Sequence, residues 1–146
     1  MKIRKMKITD YEAVYTLWRK TPGMGLNDID DSREGIERYL KRNPRTCFVA
    51  VLEDELAGVI MAGHDGRRGY IHHTCVDVTL WNNQIGTELV ETALNALRAE
   101  GISKVALVVF ERNGRGNGFW ERMGFTVRPD LVYRNKALVE LERMDT

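Results

Sequence analysis

Three groups of residues in this chain have the types and spacing to do chemistry. The first is Asn82-Asn83-Gln84, a set of amide side chains directly in front of an amphipathic run that starts at Ile85. A helix N-terminus just after a strand presents free backbone N–H groups and the positive end of the helix dipole, which together suit a phosphate. Asn83 and Gln84 can add donated hydrogen bonds worth about 0.5–1.5 kcal/mol each, rising towards about 3 kcal/mol against a charged phosphate. The second group can move protons: His72, His73 and Glu111. Alternation along a strand sends the two adjacent histidines to opposite faces, so at most one of them meets a substrate. A satisfied core histidine and a solvated loop carboxylate are the plain readings of the same residues. The third group is the acidic loop Asp28, Asp30 and Asp31, which either draws a cationic ligand to its border or caps the helix that follows.

The elements that must position these groups follow from pattern. Residues 2–8 read as a strand, and Thr9 with Glu12 forms a capping-box pattern before Tyr11, Val14, Tyr15, Leu17 and Trp18 at helical spacing. Thr21-Pro22-Gly23 ends that helix, and Ser32 caps a second one carrying Ile36, Tyr39 and Leu40. Two apolar runs, 47–52 and 56–62, flank Glu53-Asp54-Glu55 as a hairpin. Turn formers at 63–69 then send residues 70–78 back as a fourth, antiparallel strand. Asn82 or Asn83 caps a long helix closed by Gly101, and 104–110 reads as a buried parallel strand. A short helix over 117–123 and strand segments at 125–127 and 136–141 complete the chain. The result is one α+β domain over residues 1–146 with a mixed sheet.

Composition narrows the function. The 146 residues are 43% hydrophobic and 29% charged with a net charge of +1, which is globular in character and offers no global basic field for nucleic acid or an anionic membrane. No run reaches the roughly 18 apolar residues of a membrane span, so a cytoplasmic location is expected. Cys47 and Cys75 lack the spacing of a zinc or redox motif, and no metal is expected.

The order of elements, read with the segment YIHHTCVDVTLWNNQIGTELVETALNALRAEGISKVALVVFERNGRGNGFWERMGF, resembles the GNAT N-acetyltransferase superfamily, in particular a small bacterial subgroup. Three stretches carry the likeness: the fourth strand ending at Val76, the loop and helix with Ile85-Gly86 and Leu89, and Asn113 followed by Gly116, Phe119-Trp120 and Gly124-Phe125. The resemblance implies the acyl-CoA N-acyltransferase fold, a central twisted, mostly antiparallel sheet with helices on both faces. It also implies an acetyltransferase that moves an acetyl group from acetyl-CoA to a primary amine by direct attack in a ternary complex.

The same resemblance distributes roles. Cys75, Val76 and Val78 would face the pantetheine arm, which adds to the fourth strand as another strand would. Trp81, Asn82, Asn83, Gln84, Ile85, Gly86 and Thr87 would wrap the pyrophosphate, and Asn113, Gly116 and Trp120 would line the other side. The Val76 N–H would stabilise the oxyanion and Tyr133 would be the general acid, while for the base Glu111, His72 or His73, and a water chain with no single residue all stay open. Asp28 and Asp30 would border the acceptor opening. The family loop reads R/Q-x-x-G-x-G/A, whereas Trp81-Asn82-Asn83-Gln84-Ile85-Gly86 keeps only the final glycine, so the pyrophosphate loop is degenerate. A catalytically silent CoA- or small-ligand-binding module is the alternative reading. The acceptor would be a small molecule or a peptide amine, and a homodimer through sheet edges fits this shape.

Overall fold

The computed structural model describes residues 1–145. Eleven elements follow in order: β1 (Lys2–Lys5), α1 (Tyr11–Lys20), β2 (Gly25–Asn27), α2 (Arg33–Arg42), β3 (Phe48–Leu52), β4 (Glu55–His64), β5 (Gly69–Val76), α3 (Ile85–Ala99), β6 (Val105–Ala106), α4 (Gly114–Arg122) and β7 (Arg143–Asp145). Short 3-10 turns at Ile8–Asp10 and Val78–Leu80 lead into α1 and into the loop before α3. The main sheet runs β1-β3-β4-β5-β6, antiparallel throughout except for the parallel β5·β6 pair, and β2·β7 forms a separate antiparallel ribbon.

Each face of the sheet is covered by helices whose apolar stripes are set by sequence spacing. On one face α1 inserts Val14, Leu17 and Trp18, and α2 inserts Ile36 and Leu40, against Cys47, Val49, Val59, Met61 and Cys75. On the other, α3 lays Leu89, Val90, Ala93 and Leu97 over Phe48, Ala50, Ile60, Ala62 and Ile71. These α3 side chains are 0–1% exposed, and full burial of a Leu or Val stabilises by roughly 1.5–3 kcal/mol each. The caps follow local chemistry. Ser32 accepts the Gly35 N–H at 3.0 Å to start α2, and Gly101, at φ +83°, closes α3. Glu53 and Asp54, both at positive φ, form the two-residue turn of the β3–β4 hairpin.

Four expectations are corrected. Thr9 does not cap α1; the capping box sits earlier, where the Asp10 carboxylate accepts the Lys7 N–H at 2.8 Å. The α3 N-cap is Gln84 rather than Asn82 or Asn83, and it adopts φ +66°. The expected strand 104–110 pairs only at Val105–Ala106, opposite Gly69–Tyr70. Residues 125–127 and 136–141 form no strand, and β7 instead pairs with β2.

The parting of β5 from β6 has a local cause. In the β4·β5 ladder Ile60 faces Thr74 but Ala62 faces Ile71, so β5 holds one extra residue at His72-His73. A bulge of this kind bends and twists the strand that carries it. Pairing with β6 stops at Tyr70, immediately before it.

Candidate active site

The bulge also decides which groups face the gap between the two strands. The Gly69 N–H donates to Lys104 O, so Gly69 and, by alternation, Ile71 turn their backbone groups towards β6. At the far end the Asp77 N–H donates to Ala57 O, towards β4. The phase has therefore switched, and Thr74 and Val76 direct their N–H groups to the open edge. The resulting cleft, about 1970 Å³, runs between this edge and residues 107–111 and reaches the N-terminus of α3. It exceeds the roughly 300–1,000 Å³ of a single small-molecule pocket.

Along the edge, the Val76 carbonyl accepts from Trp81 Nε1 at 2.9 Å, which leaves the Val76 N–H as the donor offered to the cleft. The Thr74 hydroxyl is buried and has no hydrogen-bond partner among the described residues. Cys75 also borders the cleft. Its thiol packs against the α1 face, and burial pushes its pKa up to about 12, so it is no nucleophile.

At the α3 end, the N–H groups of Ile85, Gly86 and Thr87 have no intrahelical acceptor, as in the first turn of any α-helix. Asn82 and Gln84 both take left-handed φ, +70° and +66°, the region in which glycine is usual. The loop thus keeps a glycine-like backbone without the glycine. Asn83 folds back, its Nδ2 donating to Leu80 O at 3.0 Å, and does not line the cleft; nor does Val78, which stands on the outer surface. A cation comes from across the gap. The Arg115 guanidinium of α4 stacks 4.0 Å from the Trp81 ring centroid and donates to Asn82 Oδ1 at 3.3 Å. Sequence reading passed over Arg115, although it lies inside the quoted Asn113–Gly116 stretch.

The α4 residues are as much structural as exposed to ligand. Asn113 is the N-cap, accepting the Gly116 N–H at 2.9 Å, and Trp120 packs edge-on between Phe119 and Phe125. Asn113, Gly116 and Trp120 all border the cleft.

The acceptor side is where the bulge matters most. His72 and His73 do not alternate: His72 meets the Tyr39 ring of α2 at 5.3 Å, while His73 meets Trp18 of α1 at 4.8 Å, so both point to the α1–α2 face. That corrects the expectation of opposite faces. His73 is tied to the buried Asp31 carboxylate by a 2.7 Å contact from Nε2, and Asp31 also accepts the Asn27 N–H at 2.9 Å. His72 stays exposed at the cleft wall between Tyr39 and Tyr70. Desolvation by the surrounding protein lowers its pKa, reinforced by His73 and opposed by Asp31 and Asp30. Of the acidic loop, Asp30 lines the cleft, whereas Asp28 binds the Glu142 backbone at 2.7 Å and does not. Gly35 lets this loop pack down on α2, since a Cβ there would lie 2.4 Å from the Asp30 carbonyl oxygen.

Tyr133 and Glu111 also line the cleft, and Tyr133 is largely exposed. Tyr133 is close enough to Tyr70 to help raise its pKa, after the larger effect of burial. No group of three or more His, Cys, Asp or Glu side chains placed to hold a metal occurs among the described residues. Among them, too, no helix is long and apolar enough to cross a membrane.

Comparison with known proteins agrees with this geometry. The model of the acetyltransferase (GNAT) family matches residues 11–125. An acetyltransferase of Pectobacterium atrosepticum is 31% identical over 96% of this chain and 97% of its own. Among solved structures, Ard1 from Thermoplasma volcanium has a TM-score of 0.76 at 20% identity, covering 87% of this chain and 83% of its own. PaiA N-acetyltransferase from Thermoplasma acidophilum, solved in complex with coenzyme A, has a TM-score of 0.74 at 19% identity, covering 87% and 90%.

Proposed function

The chain belongs to the GNAT acetyltransferase family, and on that premise we propose that it transfers an acetyl group from acetyl-CoA to a primary amine. The observation that carries the reading is the open β5 edge at Thr74–Val76 facing a cleft that ends on the α3 N-terminus. An acyl-CoA fits both ends. A pantetheine arm supplies amides for an unpaired edge and a partner for the orphaned Thr74 hydroxyl, while a pyrophosphate suits the free N–H groups of Ile85, Gly86 and Thr87. Arg115, held against Trp81, supplies the cation that the loop itself lacks.

The acceptor amine approaches from the α1–α2 side, where Asp30 favours the cationic form and the base must then remove a proton. His72 takes this role: its lowered pKa keeps it neutral at pH 7, ready to accept. It lies four positions from Val76, about 10–13 Å along a strand, so the proton passes through water. The amine nitrogen then attacks the thioester carbonyl carbon, and the Val76 N–H donates to the oxygen as it gains charge. When the C–S bond breaks, Tyr133 gives its hydroxyl proton to the thiolate and is reprotonated through water by the proton that the newly acylated nitrogen loses. Glu111, which also lines the cleft, is the second candidate base.

Calorimetry with acetyl-CoA and thiol-release assays on a panel of polyamines, aminoglycosides, amino acids and peptides test this. Saturable binding with turnover on at least one amine is expected. Binding without turnover would point to a silent CoA-binding module, and no binding at millimolar acetyl-CoA would overturn the reading.

A further inference from the structure

Helix α2 carries two arginines that nothing in the fold uses. Six arginines precede Cys47 in the sequence. Arg4, Arg33 and Arg45 are ion-paired with Asp10, Glu12 and Glu100, and Arg19 lies over the Tyr15 ring. Of the six, only Arg38 and Arg42 have no side-chain partner among the described residues, and both are exposed and line the cleft. Helical spacing puts them on one face with Gly35 and Tyr39, while Ile36 and Leu40 turn into the core. Arg42, in the last turn, complements the helix dipole. Arg38 has no such reason, and as like charges at i, i+4 the two destabilise the helix that holds them. Their Cβ atoms stand about 5–6 Å apart, so both guanidinium groups can close on a single anion.

A negative group sits on the same wall. The Asp30 carbonyl rests where a Cβ on Gly35 would be, and the Asp30 carboxylate lines the cleft, meeting Asn27 Nδ2 at 2.9 Å and no cation among the described residues. Arg38 and Arg42 follow Gly35 by three and seven positions, about 5 Å and about 10 Å further along the helix axis. Tyr39, on the same helix face, holds His72 with the ring centroids 5.3 Å apart. The wall therefore offers an unpaired carboxylate, a basic imidazole and two unpaired guanidinium groups.

We propose that Arg38 and Arg42 determine acceptor specificity, and that the acceptor is an amine carrying an anionic group, a carboxylate or a phosphate, about 5–10 Å from its nitrogen. The inference rests on the acetyl-transfer reading and narrows it to one class of amine. The two guanidinium forks grip the anion, with a geometry that fits either oxyanion bidentately. Asp30 draws the ammonium, and His72 takes its proton. A polyamine or other purely cationic amine has nothing to offer the arginines and is repelled by them.

Two matched pairs of amines test this in a thiol-release assay with acetyl-CoA: 5-aminopentanoate against pentylamine, and phosphoethanolamine against ethanolamine. In at least one pair the anionic member should show a kcat/KM about 10- to 150-fold higher, which is what one hydrogen bond to a charged group supplies. The pair that shows it names the anion. Arg38→Gln and Arg42→Gln should each reduce the preference by a similar factor, through KM rather than kcat. Arg38→Lys, which keeps the charge without the fork, should retain part of it. Acetyl-CoA affinity measured by calorimetry should stay the same in all three variants, and Tm should stay within about 2 °C because both positions are exposed. Turnover without preference for either anionic amine, a preference untouched by both substitutions, or weakened acetyl-CoA binding in the Gln variants would overturn the proposal and leave acetyl transfer standing. If no amine is turned over, calorimetry of the full chain in millimolar CoA with the two anionic amines decides. Binding that the Gln variants lose upholds the arginine site although acetyl transfer fails, and no binding overturns both.

Discussion

Replacing Gln84 by glycine tests whether the degenerate loop is strained or merely different. Gln84 is a non-glycine residue at φ +66°, the first backbone position before α3. Holding an L-residue in the left-handed region costs about 1–2 kcal/mol. Glycine removes that cost and loses more chain entropy on folding, about 0.5–1 kcal/mol. The net gain is then about 0.5–1 kcal/mol, which at 2–4 °C per kcal/mol for a domain of this size is a rise in Tm of about 1–4 °C. The side chain also leaves the mouth of the phosphate site, and acetyl-CoA should bind up to about tenfold more tightly, or 1.4 kcal/mol. Gln84→Ala is the control, since alanine keeps the Cβ and with it the strain, so its Tm should not rise. Differential scanning calorimetry of the ligand-free proteins and titration with acetyl-CoA read the two effects separately. A lower Tm for Gln84→Gly than for Gln84→Ala would refute the strain argument, and a higher Tm without tighter binding would refute only its link to phosphate.

The other expectations are shorter. His72→Gln should lower kcat by about 10²–10⁴ with little change in acetyl-CoA affinity. In the parent enzyme the acidic limb of the kcat/KM profile should fall below pH 6.5, because the depressed pKa keeps His72 neutral to lower pH; an unchanged limb in His72→Gln would remove it as the base. Arg115→Ala should weaken acetyl-CoA by about 1.5–3 kcal/mol, the value of a hydrogen bond to a charged group, while leaving the binding of S-acetylpantetheine, which lacks the pyrophosphate, unaffected. Asp31→Ala should destabilise the fold by about 2–3 kcal/mol in urea melts, since it strands His73 and the Asn27 N–H beneath Trp18. A loss of activity in Asp31→Ala at unchanged stability would instead make the pair a positioning device.

Much of this protein was legible in its residues because the information was local. The helix stripes of α1, α2 and α3, the Ser32 cap, the Gly101 stop and the hairpin at Glu53-Asp54 each depend on neighbours a few positions away. The order of elements and the Asn113 to Phe125 pattern were therefore enough to indicate the fold. Most of the expected ligand-lining residues do border the cleft, among them Val76, Gln84, Gly86, Trp120 and Tyr133. What the tertiary structure alone decided concerns phase and distance. One extra residue in β5, invisible to any alternation count, put His72 and His73 on the same face and turned the Val76 N–H outwards. Arg115 reaches Asn82, 33 positions earlier in the chain, and the Trp81 ring beside it, a contact that no local pattern encodes. Nor could periodicity reveal that 136–141, strand-like in composition, lies unpaired, because a strand exists only when another edge is within hydrogen-bonding reach.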